Sequence, residues 1–207
     1  MKLSALPRLR PLLALIALSG ALSACAPLVV GGAAVGGALM FTDRRTSGTQ
    51  VEDEGIEFKA SARVREQLGG TAHVNVTSYN RVVLLTGEVP DEAARARLDT
   101  LVAAVENVRS VVNETAVAGA SSMTARSGDL IVTGKVKASL LDAKDVQANA
   151  VKVITERGVV YLMGRVTERE AARAAELARG VGGVSKVVRV FELISEDELK
   201  ALTPAQK

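Results

Sequence analysis

The alternation of apolar and polar positions runs through this chain twice. The octet Val82, Val83, Leu84, Leu85, Thr86, Gly87, Glu88, Val89 returns as Val159, Val160, Tyr161, Leu162, Met163, Gly164, Arg165, Val166. Each octet predicts an apolar strand carrying a glycine near its end, and each is followed at once by an acidic helix start. Before the first octet, Ile56, Ala60, Val64 and Leu68 recur every four residues, which predicts a helix over 52–65 ended by Gly69 and Gly70. Residues 73–77 alternate as a half-buried strand, and Ser78, Tyr79 and Asn80 turn the chain. Val83, Leu85, Gly87 and Val89 share one strand face. Pro90, Asp91 and Glu92 open a helix with acids in its first turn, as the helix dipole favours. Ala94, Leu98, Leu101 and Val105 line its buried side. A third strand follows over 108–117, centred on Val111 and Val112.

The second copy keeps this order. Val132, Val136 and Leu140 form a helix face, residues 151–153 alternate as a strand, and Glu156, Arg157 and Gly158 make the turn. Val160, Leu162, Gly164 and Val166 share a strand face. Thr167 and Glu170 have capping-box spacing. Ala171, Ala174, Ala178 and Val181 form the next helix face, Gly182 and Gly183 end it, and the last strand runs over 184–191. About five extra residues, at 142–147, separate the helix from the first strand of this copy. Each unit is therefore helix, strand, strand, helix, strand. The expected fold class is α+β, with a three-stranded sheet covered on one face by two helices in each unit. Gly87 and Gly164 fall on the helix-facing side and are expected to be structural. A missing side chain would admit a helix close to the sheet, and the rival reading is a bulge at the strand end.

The N-terminus carries an address. Lys2, Arg8 and Arg10 precede an apolar run over 12–18, too short for a membrane span of about 20 residues. This is a secretory signal peptide over 1–24. Leu22, Ser23, Ala24 and Cys25 resemble the bacterial lipobox, and Cys25 is the only cysteine in the chain. The expectation is a lipidated Cys25 that begins a mature chain of 183 residues, held by acyl chains worth about 0.8 kcal/mol per buried CH₂. Ala26 after the cysteine favours the outer membrane, by resemblance to bacterial lipoproteins. Residues 25–50 read as a glycine-rich tether, whose 26–40 stretch has a headgroup-lying segment as its rival reading; residues 42–48 read as a linker.

Charge changes the picture in two ways. The formal net charge of +3 comes wholly from Lys2, Arg8 and Arg10; beyond them the chain holds 23 basic and 23 acidic residues. The basic balance therefore argues for no nucleic-acid partner. The two units, however, are oppositely charged. Residues 51–117 hold 7 basic and 11 acidic groups, net −4, and residues 126–195 hold 12 basic and 8 acidic groups, net +4. Aromatic residues are only 2% of the chain, so both cores must be built from Val, Leu, Ile and Ala.

The candidate chemistry is sparse. His73 is the single histidine, with no cysteine or second histidine to complete a metal set, so no metal or cofactor is expected. Glu52, Asp53 and Glu54 read as a charge cluster at a helix start. Ser121 and Ser122 read as an inter-domain linker over 119–126. No convergent acid, base and nucleophile indicates an enzyme. Residues 127–194 complete the second unit after a first unit at 51–118, and 195–207 form a C-terminal tail or short helix.

The repeated pattern resembles the dual-BON-domain outer-membrane lipoproteins of the DolP type. The residues carrying it are Val74, Val76, Val83, Leu85, Gly87, Val89, Val108 and Val111, then Val151, Val153, Gly158, Val160, Leu162, Gly164, Val166, Gly183, Val184 and Val187. The first unit departs in having Asn80 and Arg81 where the second has Arg157 and Gly158, and Asn107 where the second has Gly183. The resemblance implies two tandem BON domains in a non-enzymatic protein at the periplasmic face of the outer membrane. It also implies binding of anionic phospholipid such as phosphatidylglycerol through the first helix of the second domain, and a role in envelope integrity and at division sites. The charge asymmetry agrees, since an anionic membrane attracts each nearby Lys or Arg by about 1 kcal/mol. Within that helix, at 129–141, Ile131, Lys135, Lys137 and Ala138 are the candidate lipid-binding residues. The alternative is a periplasmic protein-interaction or osmotic-stress module whose first BON domain docks an envelope protein partner.

Overall fold

The computed structural model describes residues 43–202. In the first domain α1 (Ser47–Leu68) leads into β1 (His73–Tyr79), β2 (Val82–Val89), α2 (Glu92–Ala103), β3 (Ser110–Asn113) and β4 (Ala116–Val117). Ile56, Ala60, Val64 and Leu68 are buried in α1, as their spacing requires. The helix begins at Ser47 rather than Glu52, because the Thr46 hydroxyl caps it by accepting from the Thr49 amide at 3.1 Å. In α2 the Asp91 carboxylate accepts from the Ala94 amide at 2.6 Å, and Ala94, Leu98 and Val102 are buried. Val102 thus takes the core position expected for Leu101. The predicted third strand is interrupted at Glu114 and Thr115, since the Asn113 side chain accepts from both the amide and the hydroxyl of Thr115.

The second domain repeats this as α3 (Met123–Asp142), β5 (Lys152–Glu156), β6 (Val159–Val166), α4 (Glu168–Arg179) and β7 (Lys186–Leu193), followed by α5 (Glu196–Leu202). Ser122, expected in the linker, instead caps α3 by accepting from the Ala125 amide, so the helix starts well before Asp129. The capping box of Thr167 and Glu170 forms as its spacing predicts. In both domains the middle strand pairs antiparallel with the strand before it and parallel with the strand after α2 or α4.

A buried aspartate sets the register between helix and hairpin in each domain. Asp53 accepts from the Asn80 and Arg81 amides at 2.7 and 2.8 Å and from the Ser78 hydroxyl at 2.6 Å. Asp129 accepts from the Arg157 and Gly158 amides, both at 2.9 Å. Asp53 is therefore a buried anchor within α1, not a member of a charge cluster at the helix start. The turn residues it holds are left-handed, with φ of 50° and 66° at Asn80 and Arg81, against 53° and 73° at Arg157 and Gly158. The sequence departure at this turn therefore leaves its conformation unchanged. Superposing the aspartates offsets the first helices by 76 residues, whereas Gly87 and Gly164 differ by 77. The connection from α3 to β5 covers 143–151 against 69–72 in the first domain, five residues longer as expected, although only one residue is inserted overall because α3 ends earlier and β5 begins later.

The sheets are covered on both faces. Towards the helices lie two separate aliphatic cores, one holding Val83, Leu85 and Leu98, the other Val136, Leu140, Leu162 and Ala174. The opposite faces form a third cluster in which Tyr79 and Leu84 of the first domain join Tyr161 and Met163 of the second, with Val112, Ile154, Val188 and Val190 around them. The two helices cover one face of each sheet, as expected from the sequence, and the packing of the remaining faces on each other is an addition that the tertiary structure makes. Strands buried on both faces read as near-continuous apolar runs, which the two octets are.

Residues 43–46 are packed, not a free linker. Arg44 donates to both Glu170 oxygens at 2.8 and 2.7 Å and to the Arg165 carbonyl oxygen at 2.8 Å. Arg45 pairs with Asp53 at 2.8 Å and lies 4.1 Å from the Tyr79 ring centroid. Adjacent arginines thus hold one domain each. Burial pushes the Glu170 carboxyl up, but the bonds from Arg44 and the Thr167 amide outweigh it and hold it below the usual carboxylate range. Asp53 is likewise raised by burial and lowered further by Ser78, Arg81, Arg45 and Asn80. Depressed carboxylates stabilise above their unfolded pKa near 4 and lose that contribution as pH falls through the folded value. The melting temperature should be nearly flat from about pH 7 to 5 and fall steeply below about pH 4. An unchanged melting temperature at about pH 3 would contradict this.

Candidate functional site

α3 presents two apolar faces. Val136 and Leu140 point into the core beside the buried Asp129, with Val132 packed against them. Met123, Leu130, Ile131 and Leu141 are 74%, 73%, 61% and 67% exposed. At about 100° per residue, Met123, Leu130 and Leu141 fall on one line along the helix, and Ile131 lies within a quarter turn of it. Ala138 lies between that line and Ile131. Lys137 flanks one side and Lys135 the other, both exposed. The four residues expected from the sequence are therefore on the surface together. Met123, Leu130 and Leu141 complete the face and were missed. Their signal is in the sequence, since none can share the Val132, Val136, Leu140 face, but no lysine stands next to them in the chain to single them out.

The equivalent helix of the first domain differs at these positions. With Asp53 and Asp129 superposed, Leu130, Ile131 and Leu141 correspond to Glu54, Gly55 and Arg65, and Met123 to Ser47. The exposed apolar residues of α1 are Val51 and Phe58, at 66% and 78%. The lysine-flanked apolar line thus belongs to the second domain.

Domain charge is partly consumed inside the molecule. Lys152 of the second domain bonds Glu57 of the first at 2.9 Å, and Arg157 reaches Glu88 at 3.4 Å. Arg109 of the first domain bonds Glu192 of the second at 2.8 Å. Arg165, Arg169, Arg173 and Arg189 pair with acids of their own domain or of α5. Among the described residues of the second domain Arg126, Lys135, Lys137, Lys144, Arg179 and Lys186 enter no ion pair, and the first four of these lie on or just after α3.

Gly87 and Gly164 serve the fold, but not by admitting a helix. Gly87 has φ of 105°, and a Cβ there would overlap the His73 carbonyl oxygen. At Gly164 a Cβ would overlap the Ala150 carbonyl oxygen, in the 3₁₀ turn Ala148–Ala150 between α3 and β5. The close neighbour is thus the backbone leading into the adjacent strand. No bulge occurs at Gly87, whose register with Val74 is unbroken. Cys25 and the signal peptide lie outside the described residues. Among the described residues no helix is long and apolar enough to cross a membrane.

Two BON-domain matches, at residues 53–119 and 128–194, coincide with the two structural repeats. The chain belongs to the DolP-like family of dual-BON-domain outer-membrane lipoproteins, which are lipid-anchored. Outer membrane lipoprotein DolP of Haemophilus influenzae is 40% identical over 191 residues, covering 90% of this chain and 98% of that protein. The 21 kDa hemolysin of Actinobacillus pleuropneumoniae is 38% identical over 154 residues, covering 73% and 79%. Osmotically-inducible protein Y of Escherichia coli K12 is 32% identical over 145 residues, covering 68% and 72%.

Proposed function

We propose that this envelope lipoprotein is non-enzymatic, is anchored through acylated Cys25, and binds anionic phospholipid through the exposed face of α3. The observation that carries the reading is the line of Met123, Leu130 and Leu141 between Lys135 and Lys137, which has no counterpart on α1. An interfacial helix needs an apolar face that enters the headgroup boundary and cations that stay among the phosphates. A protein held to the membrane by acyl chains already presents this face at high local concentration, so weak contacts suffice. Binding of this kind would place the protein on anionic membrane, supporting envelope integrity and recruitment to division sites.

The test is co-sedimentation with phosphatidylglycerol vesicles. Ile131→Glu with Lys135→Glu should reduce binding at least tenfold, and Leu130→Glu with Leu141→Glu should do the same. Neither pair touches the core, so melting temperatures should stay within a few degrees of wild type. Binding should also weaken as salt rises. Binding unchanged in both double variants would remove α3 from the reading.

A second reading has its own observation. Val51 and Phe58 are seven residues apart on one side of α1, both strongly exposed, in the acidic domain. An aromatic anchor with an apolar neighbour suits a protein partner better than an anionic surface. In this reading the first domain docks an envelope protein while the second holds lipid. Phe58→Ala should then abolish partner capture and leave vesicle binding intact.

A further inference from the structure

One histidine, with no second nitrogen or thiol ligand, gives the sequence no metal motif, but the fold brings other ligands to it. His73 and Glu88 are cross-strand partners in β1 and β2, which sets His73 Nδ1 2.9 Å from Glu88 Oε2. Glu156, at the end of β5, comes from the other domain. Sheet packing delivers its carboxylate to the same point, so one ligand atom from each of the three residues lies within 4.8 Å of the other two.

The two carboxylates are unusually buried for their surroundings. Glu88 is 1% exposed and Glu156 6%. Asn75 donates to Glu156 Oε2 at 2.7 Å, but Glu156 Oε1 is buried without a hydrogen-bond partner. The Thr86 hydroxyl, two residues before Glu88 on the same strand face, is also buried without one. The cation nearest Glu88 is Arg157, half-exposed and 3.4 Å away. Burial, with the charges of Glu88 and Asp129, raises the Glu156 carboxyl despite Asn75 and His73. An orphaned buried carboxylate oxygen beside a second carboxylate and an imidazole is an incomplete arrangement without a further positive charge.

We propose that His73, Glu88 and Glu156 form a binding site for a divalent transition-metal ion of the zinc class, bridging the two BON domains. Imidazole and carboxylate oxygens are ordinary zinc ligands, and three of them leave a fourth position for water. Ligands at about 2.0–2.2 Å from a tetrahedral ion stand about 3.5 Å apart, so the longest separations must close by about 1 Å while His73 and Glu88, now hydrogen-bonded at 2.9 Å, part by about half an ångström. His73, with a side chain 20% exposed, has room to turn. It also lines a cleft of about 600 Å³, bordered by Leu68 and Asn75 of the first domain and Leu130 and Thr155 of the second, which offers an entry path. Bound there, the ion ties the β1–β2 hairpin to β5 and neutralises charge that the two domains otherwise bury against each other.

The untagged full chain in detergent, stripped with a chelator and dialysed, is titrated with zinc chloride at about pH 7.5 and followed by calorimetry and thermal melting. Expected is one ion per chain, bound in the micromolar range or tighter, with the melting temperature raised by roughly 5 °C at saturation. Glu156→Gln keeps the shape and the Asn75 contact while removing one anionic ligand. It should weaken binding at least tenfold while leaving the metal-free protein as stable as wild type or more so. His73→Ala should weaken binding similarly. No saturable binding up to about 1 mM zinc, or binding unchanged in Glu156→Gln, overturns the proposal. The readout is independent of vesicle binding, so its failure leaves the lipid reading untouched.

Discussion

Replacing Arg44 by alanine is expected to destabilise the two-domain unit by about 3–5 kcal/mol. The guanidinium and the Glu170 carboxylate are 6% and 5% exposed and meet in a two-pronged contact. Removing the cation leaves Glu170 buried and charged, and it is the uncompensated charge, more than the lost contact, that sets the cost. Glu170 also closes the α4 capping box by accepting from the Thr167 amide at 3.0 Å, so its displacement frays that helix start. Denaturant unfolding of wild type and variant measures the loss. A double-mutant cycle with Glu170→Gln should show strong coupling, because the neutral partner no longer needs the arginine. A loss under about 1 kcal/mol would mean that residues 43–46 only rest against the second domain.

Gly164→Val is expected to cost about 3 kcal/mol or more, lowering the melting temperature by roughly 6–12 °C. The Cβ would overlap the Ala150 carbonyl oxygen, which is backbone and cannot turn aside as a side chain could. The turn that must shift connects α3 to β5, so vesicle binding should weaken as well. Gly134→Val is the control. It lies on the exposed side of α3 with open space at its Cβ position, and because valine is a better helix former than glycine it should leave stability unchanged or slightly raised. Equal melting temperatures for Gly164→Val and wild type would show that the strand and turn separate freely.

Much of this molecule could be read from residue order. The duplicated octet marked both middle strands, the four-residue spacing of Ile56, Ala60, Val64 and Leu68 marked the core face of α1, and Thr167 with Glu170 marked a helix start. These signals are local, since periodicity and capping need only a few neighbouring residues. Helix starts at Ser47 and Met123 were missed because Thr46 and Ser122 sit among polar residues that look like linker. Asp53 was misread for a related reason: its partners, Ser78, Asn80 and Arg81, lie a strand away. The second apolar face of α3 was legible in principle, because two stripes on one helix cannot both enter one core.

By itself, the amino-acid sequence determined two α+β repeats, a lipobox-like motif, opposite domain charges and the helix on which function is proposed. Those features follow from short-range periodicity, motif spacing and charge counts. Only the tertiary structure decided that the sheets pack through Tyr79, Leu84, Tyr161 and Met163, and that Arg44 holds the second domain. It alone decided that part of the charge difference is spent between the domains, and that Glu156 meets His73 and Glu88. Each depends on side chains from distant segments meeting across an interface, and neither periodicity nor composition encodes which surfaces will face one another.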